Sequence, residues 1–393
     1  MRLAVISPFV DRRHGTERAL SELLERLAAK PNVEIHLYAQ RVADLNVLSS
    51  GRSARNHAGS MTWHRIWSVP GPHVLRFFCW FFLNRFVRAW DSKVHGLRYD
   101  AVLSAGINCS DANVIVVHAV FHRLAELARS SPSGRLRRLH QRWYYRLLCF
   151  LERRLYTRPR VQLAAVSDHT AVQLSRYFGR SDVVVIPNGV DSTHFSSEQL
   201  LPLRKAARQR WGFHPDEVVL LLIGNDWRNK GLVALLEALV LCGEARARAL
   251  VVGQEDSSPF LALAERLQIH KQVTFAPPEA DVRIFYAAAD ILVAPSLEDS
   301  FNLPALEAMS CGLPVVVSAN AGLSEWVHPG EDAVVLHDPS DAHELAGAIL
   351  RLIAQPDTRR LLGENGSRTA RKLSWDRHAE GVFALVNSFI NRR

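Results

Sequence analysis

Asp299 and Glu307, with seven residues between them, are the side chains best spaced to do chemistry in this chain. Two ionised acids so arranged can accept hydrogen bonds from the hydroxyls of a sugar, and a helix start between them would offer free backbone N–H groups to a phosphate. The neighbouring residues supply the elements that must position them. Residues 291–295, ILVAP, are apolar and read as a buried strand. Pro304 suits a first helical turn, where its missing N–H would have had no partner. Gly312 stops that helix, and residues 314–318 read as the next parallel strand. Asp299 therefore falls in the loop at the carboxyl end of a strand, and Glu307 about one turn into the helix. Open α/β sheets hold their ligands at that end.

This stretch resembles the acid–seven–acid signature of the retaining family 4 glycosyltransferases, which have the GT-B fold. Their usual form is Glu-Gly-Phe-Gly-Leu-Pro followed by Glu-Ala; here it is Asp299-Ser300-Phe301-Asn302-Leu303-Pro304, then Glu307-Ala308. Asp stands where Glu is usual, and the adjacent Glu298 is an alternative first carboxylate, one position out of register. The loop Asn225-Asp226-Trp227-Arg228-Asn229-Lys230-Gly231 resembles the family loop in which two cations hold the nucleotide diphosphate. Lys230 lies in the expected Lys-Gly pair, and Arg228 is placed as in lipopolysaccharide-core glucosyltransferase relatives. His14-Gly15-Thr16-Glu17 resembles the family's Gly-Gly-x-Glu turn, with His14 in place of one glycine. Pro187-Asn188-Gly189-Val190-Asp191 resembles the interdomain crossover, and residues 281–290 the Asp-Val…Tyr-x-x-Ala-Asp pattern. The likeness covers nearly the whole chain and is strongest from 218 to 330.

Size and composition agree with two domains. The chain has 393 residues, enough for two cores, with 48% hydrophobic and 22% charged residues, ordinary globular values. Five scattered cysteines make no metal spacing or disulfide framework, which fits a reducing cytoplasm. The opening MRLAVISPFV reads as a first strand rather than a signal peptide. Charge is uneven: residues 1–165 hold 26 Lys+Arg against 11 Asp+Glu, and 24 of those cations are Arg. An Arg-rich first half suits an anionic partner bound through bidentate contacts. No zinc-finger, helix-turn-helix or aromatic RNA-binding signature accompanies it, so nucleic acid is not expected. A G-x-G-x-x-G fingerprint is absent after the first strand, which argues against a dinucleotide oxidoreductase.

Further along, residues 16–30 and 168–178 read as helices, 33–39, 99–104, 114–118, 163–167 and 183–187 as strands, and 51–59 as a polar loop. In the second half, 218–224, 250–253 and 273–276 read as strands, 232–241 and 281–290 as helices, and Gly322-Leu323-Ser324-Glu325 opens another, which Ser324-Glu325 could cap. Residues 74–90 are dense in aromatics but interrupted by Arg76, Arg85 and Arg88. The longest uncharged run is far below the roughly 18 residues of a membrane span. The segment suits both an amphipathic helix on a membrane and a buried helix; residues 135–160, which mix Arg with Trp143, Tyr144, Tyr145 and Phe150, suit both a membrane face and a solvated helix. His118 and His122 end a first-half strand, where the family often keeps a histidine near the donor sugar, and His118 fits that place better.

The resemblance implies an α/β protein of the GT-B fold, two Rossmann-like domains facing each other across a cleft. Residues 1–185 would choose the acceptor, 186–375 bind the donor, and 376–393 form a helix crossing back to the first domain. Asn225, Arg228 and Lys230 would hold the diphosphate. Glu307 would take the ribose hydroxyls, Asp299 would orient sugar hydroxyls, and amides of Phe301, Asn302 and Leu303 would add donors. The backbone after Val273 would read the base, Gly15 would approach the phosphates, and His118 the reacting carbon. Retention would proceed by front-face attack, with no metal and no cofactor, the cations replacing a metal. A nucleotide-sugar donor (UDP or GDP) and a bacterial surface glycan or glycolipid acceptor are the expected partners, with an anionic membrane surface beside the first half and a cytoplasmic location. Two other readings stay open: a degenerate, non-catalytic partner of a membrane complex, and a GT-B nucleotide-sugar epimerase.

Overall fold

The computed structural model describes residues 1–12, 15–45, 60–130 and 135–392. The chain divides into two compact units, Met1–Asn188 with Trp375–Arg393, and Gly189–Ser374. His14, the 51–59 loop and residues 131–134 lie outside the described residues.

The first unit is built on a parallel sheet in the order β5-β3-β1-β6-β7-β8-β9. These strands are β1 (Arg2–Ile6), β3 (Glu34–Ala39), β5 (Ser60–Arg65), β6 (Ala101–Ala105), β7 (Val114–Val117), β8 (Gln162–Ala165) and β9 (Val184–Val185); β2 (Phe9–Val10) pairs with β4 (Arg41–Val42) apart from it. Leu3, Ala4, Val5 and Ile6 are all fully buried. Such an unbroken apolar run is what a parallel strand covered on both faces requires. The helices are α1 (Gly15–Ala28), α2 (His73–Val94), α3 (Phe121–Ser130), α4 (Arg135–Tyr156) and α5 (Asp168–Phe178). The last is bounded by its own chemistry: the Ser167 hydroxyl accepts the Thr170 N–H, and Gly179 closes the helix at φ 67°.

The second unit carries a parallel sheet in the order β12-β11-β10-β13-β14-β15. Its strands are β10 (Val218–Ile223), β11 (Ala247–Val252), β12 (Val273–Ala276), β13 (Ile291–Ala294), β14 (Val315–Ser318) and β15 (Val334–Leu336). Its helices are α6 (Ser197–Arg210), α7 (Leu232–Cys242), α8 (Ser258–Arg266), α9 (Arg283–Ala288), α10 (Leu303–Ser310), α11 (Ala342–Ala354) and α12 (Pro356–Ala370). The final helix, α13 (Trp375–Asn391), packs on α1 and on β6, β7 and β8 of the first unit.

Three expectations shorten. Residues 281–290 hold only the six helical residues of α9, because Asp281 ties up the Arg283 N–H and Ala289 is extended. The strand at 183–187 shrinks to β9, since Pro187 has no N–H to continue a ladder. The helix opened at Gly322 is only a short 3₁₀ turn, Gly322–Trp326, with no side-chain cap at its start.

α2 has two apolar faces. Trp80 and Phe81 are buried in the first unit's core, whereas Phe82, Phe86 and Trp90, spaced by four, are 58–65% exposed. Its charges are inverted: Arg88 is buried and makes a bidentate pair with Asp111 at 2.6 and 3.0 Å. Burial would raise Asp111, but the guanidinium outweighs it and holds the carboxyl below its ordinary range. On α4, Leu148, Leu151 and Leu155 are buried while Trp143 and Phe150 are exposed. No helix among the described residues is long and apolar enough to cross a membrane.

Candidate functional site

The strand order of the second unit reverses between β10 and β13, since β11 and β12 lie to one side and β14 and β15 to the other. Connections leave the sheet in opposite directions there, and such a reversal is where open α/β sheets hold their ligands. The loops at the two carboxyl ends are 224–231 and 295–302, which hold most of the candidate residues. They are tied to each other by main chain and side chain. The Leu297 N–H donates to the Asn229 carbonyl at 2.7 Å, and the Asn229 amide donates to the Glu298 carbonyl at 2.8 Å. Lys230 Nζ lies 2.6 Å from Asp299 Oδ2. Gly231, at φ 79°, makes this approach possible: a Cβ there would stand 2.0 Å from the Pro295 carbonyl oxygen.

Asp299 is pinned on all sides. Its Oδ1 accepts the Phe301 N–H at 3.2 Å, its own N–H donates to Asn320, and its carbonyl accepts from Gly322. The Phe301 amide, expected to serve a ligand, is therefore engaged by Asp299 in this state. Asp299 carries the ion pair to Lys230, whereas Glu298 is buried, with its carbonyl held by Asn229.

Asn302 occupies the position where the family pattern has glycine, and its φ of 77° shows why. Asparagine tolerates the left-handed region better than other side chains. It also caps α10, its Oδ1 accepting the Ala305 N–H at 3.1 Å. Asn302→Ala is expected to cost about 2 kcal/mol, one part for the cap and one for the left-handed backbone. Asn302→Gly, which relieves the backbone, should cost only a few tenths. Urea unfolding of both variants checks the order.

Glu307 is 5% exposed and accepts the Tyr286 hydroxyl at 2.7 Å. Tyr286 belongs to the 281–290 pattern, which by itself gives the tyrosine no role at the site; its hydroxyl, on a fully buried side chain beside Phe285, Ala287 and Ala288, is the local signal that it has a polar partner. Phe301, Leu303 and Val273 bury their side chains, so any ligand would meet their backbone. Asn225 is exposed, and its Oδ1 accepts the Gln254 N–H at 2.9 Å. Arg228 is exposed, with its guanidinium carbon 5.8 Å from the centre of the Phe260 ring. It does not share the Lys230–Asp299 ion pair.

In the first unit, Gly15 is the first residue of α1. His118 directly follows β7, and both its ring nitrogens are buried without a hydrogen-bond partner. It lines a cavity of about 10 Å³ together with Leu20, Ser104, Val116 and His378, room for about one water. The His378 Nδ1–H donates to the Pro187 carbonyl at 2.9 Å. Burial pushes His118 down to about 3 and His378 down to about 4. Both rings are neutral at pH 7, so His118 can share hydrogen bonds there but not act as a cationic acid. Unfolding returns both to an ordinary value of about 6.5. As pH falls from about 6.5 to about 4, the unfolded chain takes up protons that the folded chain refuses. Stability should therefore fall with falling pH in that window, by up to about 1.4 kcal/mol per pH unit for each histidine. Urea midpoints at pH 7 and 5 measure the slope, and His378→Gln should reduce it. His122, the second histidine at this strand end, turns instead to Glu152 at 2.8 Å.

Comparison with known proteins identifies the architecture. Residues 13–194 match the model described as Glycosyltransferase Family 4, and residues 204–369 match Glycosyl transferases group 1. The chain belongs to this glycosyltransferase family. Its GT-B fold is shared by the crystal structure of WaaG, a glycosyltransferase involved in lipopolysaccharide biosynthesis, with a TM-score of 0.77, 21% identity, and coverage of 98% of this chain and 99% of that one. In sequence it is 34% identical over 247 residues to D-inositol 3-phosphate glycosyltransferase of Thermobifida fusca, covering 59% of this chain and 56% of that protein. It is 30% identical over 189 residues to lipopolysaccharide glucosyltransferase WaaG of Escherichia coli, covering 47% and 50%. The chain thus spans about half the length of the curated relatives it matches.

Proposed function

We propose that this family 4 glycosyltransferase moves a hexosyl unit from a UDP- or GDP-sugar to a bacterial cell-surface glycan or glycolipid, with retention and without a metal. The observation that carries the reading is the Lys230–Asp299 pair at the point where the strand order reverses. A cation and a carboxylate held 2.6 Å apart can serve adjacent parts of one ligand, the cation its diphosphate and the carboxylate its sugar hydroxyls. Arg228, exposed on the same loop, adds a second charge, and Glu307, set by Tyr286, takes the ribose hydroxyls. In the reaction the bond from the anomeric carbon to the phosphate oxygen breaks and a bond to the acceptor oxygen forms on the same face. The acceptor proton passes to the leaving phosphate. Fixed cations stabilise the charge that develops on the diphosphate, the largest single contribution in reactions of this kind. Asp299 and Glu307 are then binding groups and not the acid/base pair of a glycosidase.

Thermal-shift measurements with UDP, GDP, ADP, CMP and their sugar conjugates test the donor. A ligand at 100 times its dissociation constant adds about 2.7 kcal/mol. A shift with UDP or GDP and its sugar supports the reading; no shift with any nucleotide overturns it. For the acceptor, the support is the relation to a lipopolysaccharide glucosyltransferase and the exposed Phe82, Phe86 and Trp90 of α2, with Arg85 exposed and Arg76 half-buried on the same helix. Aromatic side chains among arginines suit the interface of an anionic bilayer, which would place a cytoplasmic enzyme on the membrane as a peripheral protein. Flotation with anionic liposomes at low salt should carry the protein up; failure to float removes the membrane part.

A further inference from the structure

A second cluster of ligand-type side chains lies in the first unit, where α3 meets α4. His122 is the second residue of α3, and Cys149 and Glu152 stand three apart on α4, on one face of that helix. One ligand atom from each lies within 4.8 Å of the other two, the only such trio among the described residues. The Glu152 carboxylate is fully buried. It accepts the Phe121 N–H at 2.7 Å, the His122 N–H at 3.1 Å and a hydrogen bond with His122 Nδ1 at 2.8 Å. The imidazole is held between Tyr177 and Phe178, with ring centres 5.4 and 4.9 Å away. Its side chain is 23% exposed, which leaves a way in.

We infer that His122, Cys149 and Glu152 form a structural site for a borderline divalent transition metal, Zn²⁺ above all, that staples α3 to α4. A thiol, an imidazole and a carboxylate are the donor set of zinc and its neighbours rather than of magnesium or calcium. Tetrahedral zinc places such ligand atoms about 3.3–3.7 Å apart, so Nδ1 and the carboxylate oxygen, now 2.8 Å apart, part by about 0.5 Å while the Cys149 sulfur, within 4.8 Å of them, closes by up to about 1 Å. The ion takes the place of the hydrogen between Nδ1 and the carboxylate, and that hydrogen passes to Nε2, so the imidazole stays neutral. The Cys149 S–H bond breaks, a sulfur–metal bond forms and the proton leaves to solvent. One thiolate and one carboxylate then neutralise the two positive charges, so burial carries no net charge. The fourth position is left to water. This site is separate from the chemistry proposed for the second unit, which needs no metal.

Cobalt titration of the chelator-stripped full chain tests it. One Co²⁺ per chain should bind, with tetrahedral visible bands and a thiolate-to-cobalt absorption in the near ultraviolet. Cys149→Ser should abolish that absorption and weaken binding by at least about tenfold, the lower end of what even an outer ligand contributes. His122→Asn should weaken binding similarly and keep the thiolate signal at saturating metal. Cys79, Cys109, Cys242 and Cys311 remain in both variants as internal controls. Cys149→Ala replaces the serine variant if that one melts early. No cobalt binding, or a thiolate signal that survives loss of Cys149, overturns the site and leaves Glu152 as a helix cap alone.

Discussion

Lys230→Ala is expected to lower kcat by about 10²–10³-fold while the protein stays folded. Lys230 is 21% exposed and its partner Asp299 11% exposed. A pair so close to water contributes little to stability, at most about 1 kcal/mol, and Asp299 keeps the Phe301 N–H after the change. The loss should therefore fall on the step in which charge develops on the diphosphate. It should appear in kcat and in kcat/KM together, as for an interaction strengthened in the transition state. Lys230→Arg should not restore the rate. The lysine stem runs beside Gly224, where even an added Cβ would come within 3.0 Å of its Cε, and a planar guanidinium cannot follow the same path. Single-turnover kinetics with the donor found by thermal shift check both variants. Turnover unchanged in Lys230→Ala would sink the proposed role. A wild type that binds nucleotide without turnover would favour the non-catalytic reading, and one that inverts a donor carbon without transfer would favour an epimerase.

Gly231→Ala should be the most damaging small substitution in the second unit. The residue is at φ 79°, where an L side chain costs about 1–2 kcal/mol. Its new Cβ would stand 2.0 Å from the Pro295 carbonyl oxygen and 2.8 Å from the carbonyl carbon, against backbone that has no rotamer to adopt. The two loops must part, and with them the Leu297–Asn229 hydrogen bond and the Lys230–Asp299 pair. The expected cost is at least about 3 kcal/mol, together with loss of nucleotide binding. Gly330→Ala separates the two effects. Gly330 has φ 83°, and a methyl group added there would meet nothing within 4 Å, so the variant carries only the backbone penalty of about 1–2 kcal/mol. Equal destabilisation of the two variants by urea would mean that contact with Pro295 is not what makes Gly231 necessary.

Much of this protein is written locally. The strand β12 coincides with the four residues expected of it, and α5 with a segment whose serine cap and terminal glycine are adjacent in sequence. Buried parallel strands need unbroken apolar runs and helices need caps, so both leave short-range marks. The two acids and the cation loop stand out in the sequence for the same reason: each motif lies within one strand–loop–helix segment, with Glu307 inside α10 itself. Even Asn302 follows from a local requirement, a left-handed residue that also caps α10.

Contacts between distant segments left no such mark. Lys230 meets Asp299 across 69 residues only because the sheet order sets β10 beside β13. Tyr286 reaches Glu307 by the packing of two short helices, and no spacing announces it. The two faces of α2 were undecidable from a run of aromatics broken by arginines; in the fold Arg88 is buried against an acid at position 111, and Phe82 and Phe86 stay outside. His122 went the same way, drawn to a glutamate 30 residues on. Residue types and short spacings thus specified the elements and the kinds of chemistry. Which charge faces which, and which side chains lose their water, depended on long-range packing, because burial and ion pairing belong to neighbours in space.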